Sequence, residues 1–231
     1  MLLQIDARLV EARMRDLAQT TVNQTVSLFK GGTFALAAVL LIEIIGQPEG
    51  RLLRGALWTS SFLLALTSYN AYLNTSIVDF RESVANVVII IVQMMIELML
   101  FAVLAPHFSE SLWRFWIFIY TAFMIVTAVR MLYFGMNRGL EVDPKLKPLL
   151  DAIDIGRHRN AWRMLGISVF TLAFGTAITM LPPQSAWSSG LTIAWGGVAA
   201  LQSLTGLFGM HRQRVMMERM LDAALAKERV S

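Results

Sequence analysis

Six times along this chain an apolar run reaches or exceeds the ~20 residues that carry a helix across a bilayer. The runs are roughly Val26–Gly46, Leu53–Ile77, Val84–Ala105, Leu112–Phe134, Trp162–Leu181 and Ala186–Met210. They are continuous rather than alternating with a period of two, so they predict helices and not barrel strands. Three short turns separate them in pairs: GQPEGR (46–51), APHFSES (105–111) and LPPQSAW (181–187), each with proline. A tryptophan follows or closes each turn, at Trp58, Trp113 and Trp187. Tryptophan favours the membrane–water interface, so these three mark the outer boundary. The pattern therefore predicts an all-α polytopic membrane protein with six transmembrane helices arranged as three hairpins.

The polar remainder falls into three pieces. Residues 1–29 predict an amphipathic helix that runs into the first span, with Leu3, Ala7, Val10, Met14 and Leu17 on one stripe. Within the six-span bundle, 26–210, residues 135–161 form the longest loop. There Asp143-Pro144 opens a short helix with Leu146, Leu149, Leu150 and Ile153 inward, and Gly156 closes it. Residues 211–231 form a last helix. These pieces either lie on the inner leaflet or dock a protein partner. A weak internal repeat adds itself: Trp113/Trp187, Phe134/Phe208, Gly135/Gly209 and Arg138/Arg212 share one spacing, which interface selection alone also produces.

Charge orients the chain. Of the 20 Lys and Arg, sixteen (Lys30 among them) fall on the side of the N-terminus, Arg51, Arg54 and Arg114 fall opposite, and Arg130 lies within a span. By the positive-inside bias both termini are cytoplasmic, and a bacterial inner or plasma membrane is the expected location. The isoelectric point near 9.8 then reflects juxtamembrane anchors, not a nucleic-acid footprint. The composition, 56% hydrophobic and 16% charged, agrees with a lipid-embedded chain. No secretory signal opens it, since charges occupy the first turns. Without cysteine, thiolate chemistry and disulfides are excluded.

Against this apolar background Glu97, in VQMMIELML (92–100), needs an explanation. On the third span Ser83, Asn86, Ile90, Gln93 and Glu97 share one stripe, with Glu97 about 17 Å deep near the midplane. The second span carries Ser60, Thr67, Asn70 and Asn74; the fourth carries Tyr120, Phe123, Thr127 and Arg130. A charge at that depth does not face lipid. Glu97 could be neutral, could pair with Arg130, or could line a hydrated vestibule. Three continuous stripes point to the vestibule, with a purely structural helix-bundling network as the alternative. Glu43, near an outer turn, reads as a snorkelling boundary residue.

The last two spans concentrate glycine, and Gly196, Ala200 and Ser203 form a small-residue seam. The seam predicts a tightly packed pair of spans five and six, or an oligomer contact. A hinge at Gly196-Gly197 is a weaker reading. The three histidines lie outside the spans, and no metal, nucleotide or nucleophile motif occurs, so neither an enzyme nor a cofactor is expected. The expected function is a channel or carrier for an ion or small polar solute, working as a homo-oligomer, its path lined by Glu97, Gln93, Asn86, Asn70, Thr67 and Arg130. The alternative is a non-transporting subunit or scaffold that docks partners through 1–29 and 211–231.

Overall fold

The computed structural model describes residues 7–78, 84–106, 112–133, 147–182 and 185–228. Ser83, His107, residues 134–138 and Asp143-Pro144 lie outside the described residues, as do the side chains of Asn74 and of the stripe from Leu3 to Leu17. Six long helices make up the described chain: α1 (Ala7–Gly46), α2 (Arg51–Val78), α3 (Val84–Ala102), α4 (Trp116–Tyr133), α5 (Lys147–Thr179) and α6 (Ala186–Glu228). A 3-10 turn, Leu112–Phe115, leads into α4. Among the described residues there is no strand.

Five of the six helices contain a stretch long and apolar enough to cross a membrane: Asn23–Gly46, Ala85–Ala102, Leu112–Tyr133, Asp151–Thr179 and Ala186–Arg212. The chain thus has the build of an integral, multi-pass membrane protein. Its outer surface agrees, with Leu28, Ile42, Leu52 and Val169 all more than 70% exposed. Such side chains need hydrocarbon around them. The exception is α2, which carries Arg54, Ser60, Ser61, Thr67 and Ser68. Ser60, Ser61, Thr67 and Ser68 find partners on neighbouring helices, so α2 can carry them.

The helices close into a ring in the order α1, α2, α6, α5, α4, α3, with α2 also touching α3 across it. Two bonds, Ser60 to Gly196 and Thr67 to Ser203, share the same sequence offset, so α2 and α6 run parallel. Bonds from Trp58 to Ala37 and from Tyr72 to Asn23 show α1 and α2 antiparallel. The start of α1 and the end of α6 therefore lie at one end of the bundle. Inside the ring Trp116, Tyr120, Phe123 and Met124 of α4 meet Leu57 and Leu64 of α2, Leu100 of α3 and Leu104 of the turn that follows it. The core is filled by side chains, and polar tips cross it: Trp116 Nε1 donates to Ser61 Oγ at 2.8 Å and the Tyr120 hydroxyl donates to Gln202 Oε1 at 3.1 Å.

Several expectations change here. The seam of α6 packs on α2, not on α5: a Cβ at Gly196 would meet Leu57 Cδ2 at 3.0 Å, and one at Gly206 would meet Thr67 Cγ2 at 3.2 Å. The chief partner of α5 is α4, and Phe170 and Phe174 of α5 meet Trp195 of α6. Small residues license close approach but do not name the partner. No hinge breaks α6, which is helical through Gly196-Gly197. The short loop helix is likewise not separate. From Lys147, with Pro148 in its first turn, α5 continues through Gly156 to Thr179. One interior glycine costs only about 1 kcal/mol against helix formers on both sides.

Of the three boundary tryptophans only Trp187 points outward, 77% exposed. Trp113 is buried, and Trp58 stacks on Phe62 at 5.1 Å while donating to the Ala37 carbonyl at 2.8 Å. The turn between α1 and α2 is closed by Gly50, whose φ of 67° suits a residue without a Cβ. Near Trp113, Arg114 donates to the Ile178 and Leu181 carbonyls and to Ser188 Oγ, binding the exposed end of α5 to the start of α6.

Candidate functional site

Glu97 is 1% exposed, and its partner is Lys30. The ammonium of Lys30, itself 2% exposed, donates to Glu97 Oε2, to Ser68 Oγ at 3.1 Å and to the carbonyl oxygen of Ala65 at 3.5 Å. Gln93 Nε2 donates to the same Ser68 hydroxyl at 3.3 Å. Three helices thus build the site: α1 brings the cation, α3 brings the carboxylate and Gln93, and α2 brings Ser68 and a main-chain carbonyl. Along α1 the pair stands about 10 Å inward from Asn23, and along α3 about 7 Å from its end at Ala102. Just under two turns of α1 and about one and a half turns of α3 separate it from the near ends of those spans.

The local sequence explains the convergence. On α3 Gln93 and Glu97 are four apart and share a face with Ile90, and Ile90 packs with Val26 of α1 and Tyr72 of α2. On α2 the facing line is Ser61, Ala65, Ser68 and Tyr72, again at helical spacing. Val26 and Lys30 are one turn apart on α1, and Thr33 continues that buried face. Burying either charge alone would cost several kcal/mol, and their mutual attraction offsets this only because hydrogen bonds complete the shell. One acceptor is left over: Glu97 Oε1 meets no donor.

The six residues expected along the path separate into different places. Gln93 and Glu97 are together in the site. Arg130 does not pair with Glu97; its Nε donates to Asn86 Oδ1 at 3.0 Å, joining α4 to α3. Glu97 stands eleven positions beyond Asn86 along α3, about 16 Å. Thr67 faces α6, donating to the Leu63 carbonyl at 2.6 Å and to the Ser203 carbonyl at 3.1 Å. Asn70 is exposed on the outer surface of α2. Its stripe-mate Ser60 also serves α6, donating to the Gly196 carbonyl. The polar residues of α2 thus belong to two faces, and periodicity alone merged them.

Lys30 and Ser68 are the site residues that the sequence reading passed over. The charge count places Lys30 on the cytoplasmic side, although it stands inside the first apolar run, near its start. It is corrected to a buried residue of α1, within the span that begins at Asn23. A signal was available: phenylalanine precedes it, glycines follow it, and a lone cation inside an apolar run requires a counter-charge. Ser68 gave no such signal, since one serine among LALTSYN is ordinary.

The arrangement neutralises one buried acid with one buried base, and it holds no second carboxylate. Among the described residues no cluster of three or more His, Asp or Glu could hold a metal ion. Glu43, in the last turn of α1, is half-buried. Comparison with protein-family models, with curated proteins and with solved structures finds no match to this chain.

Proposed function

We propose that this chain is a membrane carrier for an ion or small polar solute, with the Lys30–Glu97 pair as its central charged element. It works as a homo-oligomer in a bacterial inner or plasma membrane, its spans running as three hairpins with both termini cytoplasmic. The single observation that carries the reading is an ion pair, 2% and 1% exposed, buried among helices long and apolar enough to cross a membrane. Ionisable groups at that depth are expensive, and they concentrate on solute and ion pathways. A carrier is favoured over an open channel within one subunit because the ring is filled by Trp116, Tyr120 and their neighbours. A solute reaches Glu97 only when helices part. Asn86 and Arg130 then stand on the cytoplasmic approach. The orientation rests on the positive-inside bias, which survives the removal of Lys30 from the count. A small, lipid-faced subunit and the exposed small-residue stripe Ser27, Gly31, Ala35 and Ala38 on α1 support self-association.

The test is flux in proteoliposomes. Wild type and Glu97→Gln are compared with potassium-, sodium- and proton-sensitive dyes beside empty vesicles. The carrier reading expects wild-type flux that Glu97→Gln abolishes. Absence of flux from both, with folded protein, removes it.

A second reading is favoured by one feature, the length of α1 and α6. α1 begins sixteen residues before Asn23, and α6 runs sixteen residues past Arg212, about 24 Å each and at the same end of the bundle. Such extensions suit a non-transporting subunit that docks partners there. Deleting residues 1–20 would then release co-purifying proteins while the spans stay folded; a protein purified at native expression without partners argues against it.

A further inference from the structure

We propose that the oxygens around the Lys30 ammonium form a site for a monovalent cation, and that Lys30 is its tethered occupant, competing with a free cation for Glu97. This deepens the carrier reading and takes its transport meaning from it, though the site is testable without transport.

The geometry begins with the ammonium. Its three protons meet three acceptors, Glu97 Oε2, Ser68 Oγ and the Ala65 carbonyl. Carboxylate, hydroxyl and main-chain carbonyl are the hard oxygen donors that replace water around small cations. The set is also incomplete for lysine alone, since Glu97 Oε1 is buried and meets no donor. An acceptor left bare in such a place costs about 1–3 kcal/mol, so a cation able to touch both carboxylate oxygens gains what the tethered ammonium forgoes.

Charge fixes the class of ligand. One positive charge opposite one carboxylate is neutral, and a monovalent cation replacing the ammonium preserves that balance. An anion or neutral solute would leave Glu97 uncompensated, and a divalent ion would leave an excess positive charge in low dielectric. The class therefore covers alkali ions, ammonium and small primary amines. The lysine also has somewhere to go. Side chains on a helix lean toward its N-terminus, and a long stem can carry an ammonium toward that interface.

The experiment measures thermal stability of the purified full chain at constant ionic strength. N-methylglucamine chloride is exchanged for sodium, potassium or methylammonium chloride. Lys30→Met should melt below wild type and gain about 3 °C or more with at least one small cation, as expected for ligand at roughly ten times its Kd. Lys30→Arg, which keeps a tethered cation, and the double variant Lys30→Met/Glu97→Gln should not gain. Indifference of Lys30→Met, or an equal gain in the double variant, overturns the site. If Lys30→Met does not fold, Lys30→Gln takes its place. If neither folds, binding of radiolabelled sodium and rubidium to wild type and Glu97→Gln decides: binding that Glu97→Gln loses supports the site, and no binding overturns it. A cation response without flux would retain the site and remove the carrier; flux without a cation response would do the reverse.

Discussion

The hydroxyl of Ser60 donates to the carbonyl oxygen of Gly196 at 2.7 Å, across the most extensive helix–helix contact in the bundle. The bond requires α2 and α6 to approach closely, and they do so where α6 has no side chain. The same hydroxyl lies 2.9 Å from the Ala56 carbonyl within its own helix, so its proton is shared between the two oxygens.

Gly196→Val should therefore destabilise the fold by about 1–3 kcal/mol, because a branched side chain there meets Leu57 and Ser60 at once. Gly197→Val, one residue on, faces open space and should cost nothing, since valine is no worse a helix former than glycine. Melting temperatures in one detergent give the comparison. Equal losses in both variants would mean that α6 does not present this face to α2.

The Lys30–Glu97 pair predicts a different pattern. Lys30→Met and Glu97→Gln each remove one partner, and each should cost about 3–5 kcal/mol, the usual loss when a buried pair is broken from one side. The double variant leaves no uncompensated charge and should recover most of that loss. A double-mutant cycle by denaturant titration reads the coupling. Additive losses would show that the two residues do not share a site.

Arg130 supplies the complementary test. It is joined to Asn86, about 16 Å along α3 from Glu97, so Arg130→Gln and Glu97→Gln should be additive within about 0.5 kcal/mol. Arg130→Gln alone should resemble Asn86→Ala in its effect on stability. Strong coupling between Arg130 and Glu97 would restore the pairing that the stripe on α4 suggests.

These tests follow the line between what the sequence made legible and what it hid. Apolar runs announced the long helices, because lipid-facing length is a local property. Glu97 and Gln93 stood out because a helix displays residues four apart on one face. Partner choice was hidden: nothing in the spacing of Thr67 or Ser60 says that they serve α6 while Ser68, beside Thr67, serves Glu97. Their directions differ by one helical step, and only packing decides which neighbour fills each side. Lys30 was hidden for another reason. A cation near the end of an apolar run is equally at home in water or against a carboxylate, and the carboxylate lies 67 residues away. Gly156 misled in the opposite sense, since a possible helix end was not used.

Trp116 and Ser61 give the last prediction, and it concerns the filled ring. The single proton of Ser61 goes to the Leu57 carbonyl at 2.9 Å, so its oxygen is left to accept from Trp116 Nε1 at 2.8 Å. Trp116 is fully buried, and Ser61 is 1% exposed, so no water can replace that acceptor. Ser61→Ala should then cost about 1–2 kcal/mol, toward the upper end for hydrogen bonds between membrane helices, because an indole N–H is stranded. In a Trp116→Phe background, where no donor remains, the same serine change should cost little. The cycle is measured by loss of helicity in a detergent titration. If Ser61→Ala costs the same in both backgrounds, Trp116 does not bridge the ring, and the packed centre that favours a carrier over a pore loses its main polar tie.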